Sequence, residues 1–514
     1  MHNHLGYILP DKYDQQNLIN DLTGDYMVKK EQSMLKCMAY YDTFDWRLFN
    51  KGLVLFESEN KLFLRRLFKK KIINSTDITS FPVFLQDFND CELKNILAPL
   101  IKMRALIKLV EVHSSLKTHH ISNQKEKIIT RLIYEEIRLP KVKNKPLLAA
   151  YLWLPQIKER SKDFQNMVKR FTQLGFTKHK KKEDIYFKSL AAVKQEPGNY
   201  SSKFKIQLDP GMRSDQAAKI IFQYLLKTIK INEINIKKDL DTEFLHDFRV
   251  AVRRSRSALG QIKSVFPVET TSRFKKDLAF VGKLTNRLRD LDVCLLQENT
   301  YKAELPIILR GNIASLFEHL KKMRLNALKE VITQLESKKY LQIIQNWETF
   351  INKPQLDSPV AAKAKTPIID LAQKRIHKQY WGIVKTGIQI IENMEDEKLH
   401  ALRIKCKKLR YLMEFFSSLF PNKKIKALIK QLKKLQNNLG SFNDMYVQEQ
   451  HLMNIALELS ATDLNSKKNL MVIGSLMGTL NRKKQVFKST FPKTFKDFAA
   501  QKNKKKFNEL CLPK

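Results

Sequence analysis

Across residues 214–490 apolar positions recur every three or four residues with charged positions between them, the pattern of helices that bury one face. The periodicity predicts helices over 214–230, 244–267, 272–299, 307–335 and 338–351, then 368–391, 397–419, 423–456 and 466–487. Pro267 stops one of these helices, and the three prolines of residues 353–367 divide the region into two parts. Ser214 or Asp215 is the expected cap of the first. Residues 1–190 are patterned differently. Short strand-like runs at 52–56, 61–67, 128–139 and 147–154, with helical stretches at 15–22 and 161–174, predict an α+β domain. Residues 191–213, with two Pro-Gly dipeptides, read as a linker. The expected plan is therefore an amino-terminal domain over 1–190, a linker, a helical domain over 214–490 with halves of about 214–352 and 368–490, and a basic tail over 491–514 that frays.

The helical region contains a repeat. Residues 244–267 read FLHDFRVAVRRSRSALGQIKSVFP and residues 398–421 read KLHALRIKCKKLRYLMEFFSSLFP. His246, Arg249, Arg253 and Arg256 in the first copy meet His400, Arg403, Lys407 and Arg410 in the second, each pair offset by 154 positions (246 to 400). The same offset carries Asp290 to Asp444 and Val293 to Val447, so the region is an internal duplication. At about 100° per residue the four basic positions of each copy fall within an arc of roughly 80° and span about 15 Å. Phe248, Val252, Leu259 and Ile262, with Leu402, Cys406, Leu409, Met413 and Phe416, occupy the opposite face. Each helix thus packs with one face and presents cations with the other.

Composition strengthens this picture. Lysine and arginine outnumber acids by 94 to 52, a formal charge of +42, which points to a polyanionic partner such as nucleic acid, a phosphate polymer or an anionic membrane surface. A generally lysine-rich proteome also produces such an excess, but leaves the register of the repeated stripe unexplained. The run at 178–182, KHKKK, reads as a solvated turn. Five scattered cysteines lack metal-ligand spacing and fit a reducing compartment, the cytoplasm. No secretory signal and no run of about 18 apolar residues is recognisable, so no membrane span is expected.

The residues His246-x-x-Arg249-Val250-x-x-Arg253-Arg254-x-Arg256, followed by Arg289-Asp290-Leu291-Asp292-Val293, resemble the signature of the CHAD domain, a helical domain named for its histidines. The second half matches through His400-x-x-Arg403-Ile404-x-x-Lys407-Lys408-x-Arg410 and Leu439-Gly440-Ser441-Phe442-Asn443-Asp444. The resemblance implies two four-helix bundles about a pseudo-two-fold axis, with the basic helices lining a groove for inorganic polyphosphate. Lys407 and Lys408 replace arginines, and Thr285-Asn286 stands where the family usually has Leu-Gly. Lysine keeps charge but loses the planar fork, so the second half is expected to grip less specifically.

Tyr40-Tyr41-Asp42-Thr43-Phe44-Asp45-Trp46-Arg47-Leu48 with Lys51-Gly52-Leu53 is similar to a segment of the CYTH domain, the tunnel-shaped antiparallel barrel of triphosphatases and adenylyl cyclases. That resemblance implies an α+β barrel over 1–190. The family's Glu-x-Glu-x-Lys motif is missing from MHNHLGYILP, only Arg65 and Arg66 fall near an expected phosphate ligand, and residues 151–155 carry no carboxylate. Glu135 and Glu136 are adjacent in an expected strand and point to opposite faces, a poor metal pair. Triphosphate hydrolysis in such a tunnel needs carboxylates to hold divalent ions. The first domain is therefore expected to be a degenerate scaffold without catalytic residues, metal or cofactor.

The expected binding set is His246, Arg249, Arg253, Arg254, Arg256, His400, Arg403, Lys407, Lys408 and Arg410, with Asp290 and Asp444 orienting stripe arginines through charge-assisted hydrogen bonds. The histidines serve either as phosphate donors or as satisfied contacts between helices, and His451, His377, His319 and the His119-His120 pair are assigned surface or packing roles. The expectation is non-catalytic polyphosphate binding, in the cytoplasm or on polyphosphate granules. The rivals are a triphosphatase or polyphosphatase acting through the first domain, and a nucleic-acid-binding protein. The latter is less favoured because the stripes lack interleaved aromatic residues for base stacking.

Overall fold

The computed structural model describes residues 4–9, 15–69, 71–140, 146–155, 162–178, 184–201, 204–353, 361–459 and 464–512. These form two compact units, residues 1–201 and 202–514. Most of the 178–182 run lies outside the described residues.

The first unit is built on one sheet. Its strands are β1 (His4–Ile8), β2 (Met27–Thr43), β3 (Leu53–Ser58), β4 (Lys61–Arg66), β5 (Ile72–Asp77), β6 (Leu106–Ser122), β7 (Ile128–Arg138), β8 (Leu147–Pro155) and β9 (Thr177–Lys178), in the order β5-β4-β3-β2-β6-β7-β8-β1-β9. Every described pairing is antiparallel. The helices are α1 (Gln15–Thr23), α2 (Glu92–Ile101), α3 (Lys162–Gln173) and α4 (Ile185–Ala192). Leu18, Leu22, Phe164, Met167 and Phe171 of α1 and α3 share a core with Tyr7, Tyr134 and Leu152. Leu93, Leu97 and Ile101 of α2 pack with Leu55, Leu62 and Leu64. Strands β3, β4, β7 and β8 lie within two residues of the expected runs. The two 17-residue central strands were not expected. In β2 only Ala39–Thr43 are consecutively buried, while the outer part carries Lys29, Lys30 and Lys36 and is largely exposed, so alternation is weak there.

The boundary between units falls later than the expected end at residue 190. Gln195 donates to Leu109 O at 3.2 Å, Trp46 Nε1 donates to Asn199 Oδ1 at 3.0 Å, and Tyr200 packs on Phe44. Phe204 instead packs on Tyr224 and Phe415 of the second unit, and Leu208 N donates to Ser418 Oγ. Aromatic burial on either side leaves little of residues 191–213 as free linker.

The second unit is all helical. Its first half holds α5 (Ser214–Lys237), α6 (Thr242–Gln261), α7 (Val268–Leu284), α8 (Asn286–Leu295), α9 (Glu298–Glu304), α10 (Ile313–Glu336) and α11 (Lys338–Asn352). The second holds α12 (Ile368–Glu392), α13 (Asp396–Phe415), α14 (Asn422–Glu458), α15 (Leu464–Ala499) and α16 (Gln501–Cys511). Four long positions repeat: first helix, basic helix, a third that is broken at Thr285 in the first copy but continuous in α14, and a fourth, α10 or α15. The duplication is visible in the hydrogen bonds. Ser214 N donates to Thr366 O at 3.0 Å and Ile368 N donates to Met212 O at 2.9 Å, around a bridge between Arg213 and Pro367. Residues 212, 213 and 214 are the repeat partners of 366, 367 and 368, so a pseudo-two-fold axis passes between the two segments. It sets the starts of α5 and α12 side by side.

The expected fraying tail is instead packed helix. Phe491, Phe495, Phe498 and Phe507 are buried, and the Phe507 ring stacks on Tyr380 at 3.9 Å. The apolar spacing among these lysines buries one face while the charges stay outside. Helix α16 packs against α12 and α14 much as α11 packs against α5 and α7. Among the described residues no helix is long and apolar enough to cross a membrane.

Candidate functional site

Helix α6 starts where Asp241 accepts hydrogen bonds from the amides of Glu243 and Phe244, a side-chain N-cap. It ends at Gln261, short of Pro267, with Ser264 in the left-handed region beyond it (φ 65°). Phe248, Val252 and Leu259, like Leu402, Cys406, Leu409 and Met413 of α13, are buried on the expected side. The cationic faces of α6 and α13 then border a common cleft of about 570 Å³. Arg249, Arg253 and Arg289 enter it from the first half and Arg403 and Lys407 from the second, with His246, His451, Asp290 and Asp444 beside them. A second cleft of about 600 Å³ continues from Arg253 and Lys407, which line both, and adds Arg256, Lys263, Lys275 and Lys408. Arg253 and Lys407 thus stand in the walls of both clefts.

The cleft brings together seven residue pairs related by the 154-position offset: 249 with 403, 253 with 407, 289 with 443, 290 with 444, 293 with 447, 294 with 448, and 297 with 451. Its walls are therefore two copies of one surface facing each other across the axis. Like charges are crowded there. The Nε–H groups of Arg249, Arg253 and Arg403 are buried and have no acceptor among the described residues. Burial, reinforced by Arg253, pushes Arg249 down to about 10. Burial, reinforced by Arg403 and Arg253, pushes Lys407 down to about 8. Arg403 and Arg289 are also lowered, chiefly by burial. An anion placed in this space would relieve both the desolvation and the mutual repulsion.

The expected residues do not all reach the cleft. Arg254 Nη2 bonds Glu414 Oε2 at 2.6 Å, and Arg410 Nε lies 3.6 Å from Glu414 Oε1. Both guanidinium groups rest on the buried Tyr411 ring, at 5.5 and 5.6 Å from its centroid. Glu414 and Tyr411 thus draw these two arginines into a contact between the basic helices. His400 lies outside the main cleft, in a pocket of about 250 Å³ with Asp396 and Glu397, and its Nδ1 is 2.6 Å from Asn443 Oδ1. His246 alone of the two lines the cleft. Asp444 accepts from Arg403 Nη2 at 3.2 Å. Asp290 behaves differently. Its carboxyl is raised by burial and opposed by the charges of His451, Arg249 and Arg289, while Arg249 spends its Nη1 hydrogens on Gly282 O, Thr285 Oγ1 and Asn286 Oδ1. Asp292 is buried and bonded to Arg324, which also grips Asp239. That motif residue fastens α8 to α10.

Arg289, His451, Lys263 and Lys275 were not foreseen. His451, assigned a packing role from sequence, faces Asp290 across the cleft, and burial lowers its pKa. A signal for it existed: Asp444 and His451 are seven residues apart, two helical turns on one face, and the offset pairs them with Asp290 and Gln297.

In the first unit, Arg65 is buried and paired with Asp184, at 2.9 and 3.0 Å, where Asp184 also caps α4. Arg66 is exposed. Glu135 accepts from Ser114 Oγ and Trp153 Nε1, both at 2.6 Å, whereas Glu136 accepts from Tyr134 and Arg138. Asp42 accepts from the amides of Thr43, Leu48 and Phe49, and burial raises it to about 7. No group of three or more His, Cys, Asp or Glu that could hold a metal occurs among the described residues.

The family model of the CHAD domain matches residues 220–453. An uncharacterized protein of Mycobacterium tuberculosis is 22% identical over 219 residues, 41% of this chain and 40% of its own length, as is its counterpart from a second strain. The chain thus spans about two fifths of the length of the curated relatives it matches. The crystal structure of the CHAD domain from the plant Ricinus communis is 23% identical, with a TM-score of 0.47, covering 57% of this chain and 95% of that one. PptA from Streptomyces chartreusis is 13% identical, with a TM-score of 0.42, covering 55% and 99%. A putative adenylyl cyclase from Hippeastrum, described as having a dominant triphosphatase activity, is 11% identical, with a TM-score of 0.25, covering 38% and 98%. The chain carries a CHAD domain at residues 220–453, and the nine-stranded antiparallel sheet ahead of it is consistent with the expected CYTH-like part.

Proposed function

We propose that the helical unit binds inorganic polyphosphate along the track through the two clefts, without catalysing its turnover. The observation that carries this reading is a set of buried arginine Nε–H groups without acceptors, crowded with Lys407 between two copies of the same wall. Such a cavity holds charge at a cost in desolvation and repulsion that a polyanion offsets. Two basic clefts that share Arg253 and Lys407 in their walls favour an extended ligand over a compact one. A phosphate polymer has closely spaced charges and no bases to stack. The Tyr411 ring is buried beneath two arginines, which leaves it unsuited to stacking a base. The first domain acts as a scaffold in this reading, with Arg65 neutralised by Asp184. Cytoplasmic polyphosphate, including its granules, is the proposed ligand pool.

Isothermal titration of the full chain with long-chain polyphosphate at moderate salt tests the proposal. Binding is expected to weaken with salt through counterion release and to be lost when Arg249, Arg253, Arg403 and Lys407 become glutamate. Absence of binding, or an unchanged affinity in that variant, defeats it. RNA that competes better at equal phosphate concentration would transfer the site to nucleic acid. Phosphate release from tripolyphosphate with magnesium or manganese would overturn the non-catalytic part.

A further inference from the structure

The two copies hold their leading arginines by different edges. In the second copy, Arg403 gives Nη2 to the Asp444 carboxylate at 3.2 Å. The neighbouring helix runs unbroken through Leu439 and Gly440, which have no side-chain acceptor. In the first copy the equivalent helix breaks at Thr285, between α7 and α8, and the equivalent residues are Thr285 and Asn286. Arg249 gives Nη1 to Thr285 Oγ1 at 2.7 Å, to Asn286 Oδ1 at 2.9 Å and to Gly282 O at 3.1 Å.

Two consequences follow from guanidinium chemistry. An oxyanion is gripped bidentately by two parallel N–H groups on one edge. Arg403, whose buried Nε–H lacks an acceptor among the described residues just as that of Arg249 does, has Nη2 of the same edge turned to a carboxylate, which also offsets its charge. Arg249 is held through Nη1 alone, by neutral acceptors that orient the group and leave its charge intact, and its buried Nε–H has no acceptor among the described residues. Side-chain ordering that binding would otherwise have to impose is already in place. We infer that Thr285 and Asn286 are positioning residues that present the Nε/Nη2 edge of Arg249 to a phosphoryl group, making the first half of the cleft the bidentate anchor and the second half mainly a source of charge. This deepens the polyphosphate reading and rests on it.

The test is a double-mutant cycle read by isothermal titration of the full chain with long-chain polyphosphate. The T285V/N286G pair keeps net charge and is expected to weaken binding about tenfold, the scale of hydrogen bonds to a charged group. In an R249A background the same pair should change nothing. R249K, which keeps charge and loses the fork, should fall nearly as far as R249A, whereas R403K should stay within about threefold of the parent chain. T285S, which restores the hydroxyl, should recover affinity relative to T285V in the parent chain and not in the R249A background, an outcome that a merely structural role of the Thr285–Gly282 hydrogen bond does not predict. Unchanged binding in T285V/N286G, the same loss with and without Arg249, or equal sensitivity of Arg249 and Arg403 to lysine overturns the inference while leaving polyphosphate binding standing. A parent chain that does not bind polyphosphate overturns both.

Discussion

Raising the pH from about 7 to about 9.5 should discharge Lys407 before the arginines of the cleft. Burial and the charges of Arg403 and Arg253 bring its ammonium from 10.5 to about 8, while Arg249 sits at about 10. Burial moves two other groups of the cleft away from this window, lowering His451 and pushing the Cys294 thiol up to about 12. A bound polyanion supplies opposite charge and draws Lys407 back toward its ordinary value, so binding takes up protons and weakens as pH rises. Full recovery corresponds to an affinity loss of about thirtyfold between these pH values, and half recovery, reasonable for a partly exposed group, to about tenfold. Stability of the ligand-free chain moves the other way. The folded-state value lies below the unfolded one, so the penalty for a charged Lys407 is fully present below about 8 and is relieved as pH climbs toward 10.5. Titration of polyphosphate in two buffers of different ionisation enthalpy counts the protons directly, and thermal unfolding across the same pH range gives the stability slope. K407M should abolish the proton uptake at about pH 8.5 and flatten both dependences. No net uptake in the parent chain, or full pH dependence in K407M, would refute the account of a repulsive, partly desolvated cleft.

Other perturbations test the surrounding architecture. E414Q weakens the contact that ties Arg254 and Arg410 to Tyr411 and should cost about 2 kcal/mol in thermal unfolding, with no loss of polyphosphate affinity because neither arginine lines the clefts. G387A places a methyl group 2.0 Å from the Phe495 ring and should destabilise the helical unit by about 3 kcal/mol; unchanged denaturant unfolding would speak against the packed carboxyl-terminal helices. D184A leaves the buried Arg65 without its carboxylate and should cost the first unit about 3 to 5 kcal/mol, followed by the fluorescence of Trp46 and Trp153.

Local patterning made the helical half largely legible, because an amphipathic helix writes its buried face into the order of its own residues. Helix α12 lies within one residue of the span expected for it, and α13 matches closely once its final turn is counted as 3-10. The strands β2 and β6 were harder, since whether a lysine-bearing segment joins a sheet depends on the neighbour it pairs with. The last helices were misread for a related reason. Their lysines suggest a free tail, and only α12 and α14, distant in sequence, supply the surface on which Phe491 to Cys511 become buried.

The sequence by itself determined the duplication and the basic stripe on each copy, because repeat register and helical phase are properties of residue order. Only the tertiary structure decided which cations share the cleft. Arg410 satisfies the same helical phase as the others, yet Glu414 and Tyr411 of its own helix claim it, and they claim Arg254 across the contact between α6 and α13. His400 is likewise turned to Asn443, and His451 is brought opposite Asp290 from another helix. Phase says which side of a helix a residue takes; the partner reached by that side is set by how the helices pack about the pseudo-two-fold axis.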